Sequence, residues 1–217
     1  KNIIKHSYQR GRDSSGIVFT KENNLYSYKD NTDIKKLIKK IDLKNIQFTM
    51  GHSRLVTDGL NDNQPLINDD VVLIHNGIIL NHEKIWPTIN TKRKLEIDTE
   101  IISTLISEKL ALNKNIELII IEILNELEGI MACAILFKKL GKIALFSNNG
   151  SLYVGKKNNQ IVFSSEKFPL ININCSDIQN IRKPKLFDLP TEILKTEDYD
   201  FSKERFNLIP KLYLKST

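Results

Sequence analysis

Three short stretches of this chain group residue types that could act together on a small polar ligand. The first, QRGRDSSGI at residues 9–17, holds two of the six arginines in the whole sequence. Gly11 and Gly16 bracket its polar residues just ahead of an apolar run, which reads as a tight hydrogen-bonded turn, or as a helix end with incidental charges. The second, GHSRLVTDGLNDNQP at residues 51–65, places Arg54 beside Thr57 and Asp58 and closes on Gly59. A guanidinium fork matches the two oxygens of a carboxylate, with hydroxyl and backbone donors completing the grip. A plain surface loop with one solvated cation is the other reading. The third, VVLIHNGIILN at residues 71–81, sets Asn76 and Gly77 between two apolar runs. Asn-Gly in that setting is a strong hairpin signal. It is also a pair of donors, a carboxamide and an unobstructed backbone N–H, that could stabilise a developing oxyanion.

The elements that must position these residues follow from apolar patterning. Strand-like runs occur at residues 16–20, 25–29, 46–50, 71–75, 131–137, 142–147, 152–156 and 160–165, most rich in β-branched or aromatic residues. Turn residues such as Glu22-Asn23-Asn24, Lys139-Leu140-Gly141 and Asn148-Asn149-Gly150 separate several of them. From 131 to 165 the runs read as a four-strand antiparallel meander. Two helices intervene. One is capped by Asp98 and buries Ile101, Ile102, Leu105, Ile106 and Leu110; the other spans 116–127 and stops at Gly129. Strands, then a helix pair, then strands again is an α+β order with largely antiparallel sheets. The stretch from Lys183 onward reads as polar and irregular.

Composition narrows the function. Hydrophobic residues make up 41% of 217 residues, enough for a globular core. The net charge of +6 invites a nucleic-acid reading, but the cations are mostly lysines scattered along the chain, and aromatics do not interleave with them as a base-stacking platform needs. The densest group, Lys35, Lys36, Lys39 and Lys40 with Leu37, Ile38 and Ile41, is an amphipathic helix with a solvated face. The most apolar stretch, at 116–127, carries three glutamates and is too short to span a membrane. Two cysteines, Cys133 inside an apolar run and Cys175, point to reduced thiols and a cytoplasmic setting.

Taken in order, these segments resemble the class II glutamine amidotransferases, whose glutaminase domains use an N-terminal nucleophile. RGRDSSGI is similar to that family's Arg-Gly-x-Asp-Ser-x-Gly turn, GHSRLVTDG to its glutamine loop, HNGIILN to its His-Asn-Gly-Ile-Ile-x-Asn segment. IDTEII at 97–102 resembles its Ser-Asp-Thr-Glu helix start, and FSSEKFPL at 163–170 its late Ala-Ser-Asp strand end. The resemblance covers roughly residues 1–166. It implies an Ntn-hydrolase-type four-layer αββα sandwich with mostly antiparallel sheets, its first strand missing from the chain as it stands. It also implies roles. Arg54 and Thr57 would grip the α-carboxylate of glutamine and Asp98 its α-ammonium. Asn76 and Gly77 would form the oxyanion hole, and Arg10 would support the nucleophile's turn. The family's catalytic cysteine opens the mature chain and its own α-amine is the general base; here the chain begins with Lys1, and neither Cys133 nor Cys175 can substitute.

The expected activity is hydrolysis of glutamine to glutamate and ammonia, which passes to an acceptor, a sugar or sugar phosphate by the wording of the motifs, on a synthase domain or subunit. The alternative is a degenerate module that binds glutamine or docks on a partner without catalysis. A glutaminase domain at residues 1–182 followed by an extension or linker at 183–217 is expected, with no cofactor and no metal. Expected partners are glutamine, the ammonia-accepting domain and a second copy of the chain, but neither nucleic acid nor membrane. Two departures from the family wording are Leu55, where the family has Trp, and the anionic Asp58 near a proposed carboxylate site.

Overall fold

The structure is a computed structural model that describes residues 3, 6, 11, 13–42, 44–54, 62–190, 193 and 195–198. Its elements run in the order β1 (Ser14–Lys21), β2 (Asn24–Asp30), α1 (Ile34–Leu37), β3 (Thr49–Arg54), β4 (Leu66–Ile67), β5 (Val71–Ile79) and α2 (His82–Ile85). There follow α3 (Glu100–Ala111), α4 (Ile116–Glu126), β6 (Gly129–Phe137), β7 (Lys142–Ser147), β8 (Tyr153–Lys157) and β9 (Gln160–Ser164). The last are α5 (Lys167–Asn172), β10 (Ser176–Asn180), β11 (Lys185–Asp188) and β12 (Lys195–Asp198).

Alternation along the central strands dictates the layering. On β6, Met131, Cys133, Ile135 and Phe137 face one apolar cluster with Ile101, Ile102, Ile106, Ile119, Ile120 and Ile123 of α3 and α4. Ala132, Ala134 and Leu136 face the opposite way, against Val18, Leu25 and Met50 of the other sheet. On β1 the same period sends Ile17 and Phe19 onto Ile34 and Leu37 of α1. Strands covered on both faces lose polar alternation and read as continuous apolar runs. The result is helix, sheet, sheet, helix: α1, then β12-β2-β1-β3, then β11-β7-β6-β5-β4, then α3 and α4. That is the αββα sandwich expected from the motifs. A third sheet, β10-β8-β9, stands beside these two.

The helices form for local reasons as well. Asn115 caps α4, its side chain accepting the Leu118 N–H at 2.8 Å, an interaction worth about 1 kcal/mol. Ile116, Ile119, Ile120 and Ile123 make the buried stripe. The glutamates turn outward, where Glu122 and Glu126 pair with Lys109 of α3 at 3.1 and 3.0 Å.

Three expectations need correction. The meander is two hairpins in different sheets: β6 pairs with β7, while β8 pairs with β9 and β10. β8 cannot continue the sheet because β11 already occupies the outer edge of β7. The stretch after 182 is therefore not irregular where it is described; it adds β11 to one sheet and β12, parallel to β2, to the other. Gly129 does not end α4, which is closed by the extended residue Leu127. Gly129 instead opens β6 with φ +133°, where a Cβ would lie 2.0 Å from the Ile78 carbonyl oxygen.

Candidate active site

Asn76 and Gly77 are not a hairpin. They lie inside β5, in register with Ala132 and Met131 of β6. Local Asn-Gly preference is overruled here by nine residues of strand pairing with a buried neighbour. Gly77 is required by contact as well as by conformation. Its φ is +151°, and a Cβ would fall 1.8 Å from the Ile130 carbonyl oxygen and 2.8 Å from Nε2 of His75.

The outer edge of β5 defines what Gly77 offers. Met131 spends its N–H on Oδ1 of Asn148 (2.8 Å), and its carbonyl accepts from Asn148 N (3.1 Å) and Ser147 Oγ (2.9 Å). The Gly77–Met131 pair is thus the non-hydrogen-bonded kind, and the Gly77 N–H turns away from β6. His75 and Ile79, two residues to either side, turn the same way. The His75 N–H donates to Oε1 of Gln64 at 2.6 Å and the Ile79 N–H to Oδ2 of Asp98 at 2.7 Å. Between these two capped amides the Gly77 N–H takes no partner among the described residues. Asn76 alternates to the other face and lines a cavity of about 760 Å³ between the sheets, together with His52 and Ser53 of β3 and Ser164 of β9.

Asp98 is not the cap of α3. The helix starts at Glu100 after a tight turn in which the Glu100, Ile101 and Ile102 amides donate to the carbonyls of Ile97, Asp98 and Thr99. The Asp98 carboxylate is drawn outward instead, to the Ile79 amide and, through Oδ1, to the Thr99 hydroxyl at 3.2 Å. Arg54 ends β3 and is buried, with Nη1 donating to the Asp62 carbonyl. Oδ2 of Asp62 accepts from the amides of Glu96 (2.6 Å) and Ile97 (3.1 Å), the two residues preceding Asp98. Arg54 is therefore linked to Ile79, two residues beyond Gly77, through hydrogen bonds to Asp62, from Asp62 to residues 96–97, and from the adjoining Asp98 to the Ile79 amide. Arg10, Thr57, Leu55 and Asp58 lie outside the described residues.

Sequence reasoning missed the buried group behind this edge. His75 is 2% exposed. Its Nε2 lies 3.1 Å from the Ile130 carbonyl, which can only accept, so Nε2 carries the hydrogen. Nδ1 is 3.1 Å from the Thr99 hydroxyl, whose oxygen accepts from Nε2 of Gln64 at 3.3 Å. Burial lowers the His75 pKa, partly opposed by the Asp98 charge. The only available signal was the adjacency of His75 to Asn76-Gly77. Neither cysteine belongs to the site. Cys133 sits opposite His75 on β6, fully buried, and burial pushes its thiol far above the ordinary range. Cys175 precedes β10, and burial likewise raises its pKa.

Two sandwiched sheets covered by helices form the αββα layering of the Ntn-hydrolase-type fold. The solved glutamine phosphoribosylpyrophosphate amidotransferase from B. subtilis shares it, with a TM-score of 0.67 at 22% identity over 88% of this chain and 46% of that one. Residues 52–172 match the glutamine amidotransferase domain, and the chain belongs to the class II members of that family. Among similar sequences is a glutamine–fructose-6-phosphate aminotransferase of Thermococcus kodakarensis, 30% identical over 163 residues, which are 70% of this chain and 27% of that protein. Its counterpart in Pyrococcus horikoshii is 28% identical over 76% of this chain and 28% of its own length. The chain thus spans little more than a quarter of either relative.

Proposed function

We propose that this chain is the glutamine-handling part of an amidotransferase, releasing ammonia for an acceptor bound elsewhere in a longer enzyme or on a partner. The observation that carries the reading is the Gly77 N–H, without a partner among the described residues, set between amides capped by Gln64 and by Asp98, the latter linked through Asp62 to a buried arginine. In this reading Arg54 binds the α-carboxylate of glutamine and Asp98 its α-ammonium. That fixes the side-chain amide near Asn76 and Gly77, whose donors stabilise the oxyanion when a thiolate attacks the amide carbon. Collapse of the adduct expels ammonia, protonated from the nucleophile's own α-ammonium, and leaves a thioester that water hydrolyses to glutamate. Thr57 would assist at the carboxylate and Arg10 at the nucleophile's turn.

The thiol is carried by neither Cys133 nor Cys175. We assign it to an upstream cysteine of the longer enzyme, since the mechanism needs a nucleophile that carries its own α-amine as base. The sugar relatives favour a sugar phosphate as acceptor.

L-glutamine titrated calorimetrically into the wild-type protein binds, and Arg54→Ala weakens that binding about tenfold or more, as expected for loss of a charge-assisted grip. Unchanged affinity would remove Arg54 from the site. Ammonia release by the full-length protein, abolished by replacing the upstream cysteine with alanine, separates catalysis from a purely binding role.

A further inference from the structure

We infer that Asp62 is a positioning residue that sets the separation between the two ends of the amino-acid clamp, through contacts made by its main chain and its side chain in opposite directions. Its carbonyl seats the Arg54 guanidinium. Its Oδ2 seats the amides of Glu96 and Ile97, so that the next residue, Asp98, is delivered to the Ile79 amide at 2.7 Å. One residue thus fixes both the cation and the acid. This deepens the proposed function and rests on Arg54 and Asp98 being the groups that hold glutamine.

The neighbours of Asp62 hold it from behind. Oδ1 of Asn63 accepts the Gln64 amide at 2.8 Å, and Nδ2 donates to the Ser15 carbonyl of β1 at 3.0 Å. Gln64 spans from the His75 amide of β5 to the Thr99 hydroxyl. The tripeptide 62–64 therefore joins β1, β3, β5 and the turn before α3, and within it only Asp62 reaches both Arg54 and the Asp98 turn. An ordinary surface aspartate capping two amides would have no bearing on Arg54. Here the same residue's carbonyl also accepts from the arginine, so freeing the side chain lets the two ends of the clamp shift relative to each other.

The physical consequence is a chelate effect. A ligand with both an α-ammonium and an α-carboxylate gains from a clamp whose two ends are pre-set at the right distance, because the second contact costs no further ordering. A ligand carrying only one of the two groups gains nothing from that spacing. Loss of the strut therefore weakens two-ended ligands selectively. A purely structural role would weaken all ligands alike or lower stability without changing their ratio.

The test uses three ligands and the full-length protein: L-glutamine, 4-carbamoylbutanoate, which lacks the ammonium, and 4-aminobutanamide, which lacks the carboxylate. The wild type is expected to bind L-glutamine at least about tenfold more tightly than either single-ended ligand. Asp62→Ala reduces L-glutamine affinity about tenfold and leaves the other two within about twofold. Asp62→Asn keeps one acceptor oxygen for the 96–97 amides and restores most of the difference. If Asp62→Ala weakens all three ligands equally, or none, the strut is overturned while the clamp stands. If the wild type binds no L-glutamine, or does not prefer it, the clamp reading itself falls and the strut falls with it.

Discussion

Gly77→Ala is expected to destabilise the protein by about 3 kcal/mol or more, near the upper end for a single substitution. Two costs add. A φ of +151° is unfavourable for any residue with a side chain. The new methyl would also sit 1.8 Å from the Ile130 carbonyl oxygen, a backbone atom pinned in the β5–β6 ladder, so no side-chain rotation relieves the overlap. If Ile130 moves, its carbonyl abandons Nε2 of His75 and leaves a buried donor unsatisfied. Urea unfolding followed by circular dichroism measures the loss. A change below about 1 kcal/mol would mean that β5 and β6 separate at this point more readily than their register implies.

Stability should also decline in acid through His75. Burial holds its pKa below 6.5, so between the folded-state value and 6.5 the unfolded chain binds the extra proton and the folded chain does not. The stabilising contribution of the neutral ring is therefore present above pH 6.5 and is lost as pH falls below it, with a slope of at most about 1.4 kcal/mol per pH unit for one proton. A second hydrogen on Nδ1 would donate to the Thr99 oxygen, whose own hydrogen goes to Oδ1 of Asp98, so the cost of protonation is burial of the charge, which the Asp98 carboxylate opposes without outweighing. Unfolding free energies measured from pH 8 to pH 5 for the wild type and His75→Gln give the comparison. The wild type should lose stability more steeply, and parallel curves would show that another group is responsible.

Much of the layering was legible in the sequence because apolar runs such as GIVFT and MACAILF have one physical explanation, strands covered on both faces. The helix stripes at 101–106 and 116–123 were equally plain. What could not be read depends on which strand neighbours which. The Asn-Gly pair carries a strong hairpin preference, yet β6 lies alongside and the strand runs straight through it. The extent of β7 was legible, but its partner on the far edge comes from residues 185–188, not from β8, and no local pattern announces it.

The site divides in the same way. Asn76, Gly77, Arg54 and Asp98 stood out through family wording. Their supports did not, because Asp62, Gln64 and Thr99 are ordinary polar residues in their own neighbourhoods. Gln64 acquires meaning only by meeting His75 eleven residues away and Thr99 thirty-five away. Asp98 shows the converse: the sequence suggested a helix cap, whereas its carboxylate accepts from the Ile79 amide across the fold, a donor no local pattern announces.

Cys133 gives this architecture an internal clock. Its sulfur is wholly shielded on β6, directly across from His75 and one residue from the partner of Asn76. An alkylating reagent can reach it only when that part of the strand ladder parts, so the rate of modification reads the opening free energy of the segment that presents Gly77. Cys175, incompletely shielded, reacts on its own timescale in the same molecule and calibrates the reagent. Whatever docks against the Gly77 amide should slow the first sulfur and spare the second.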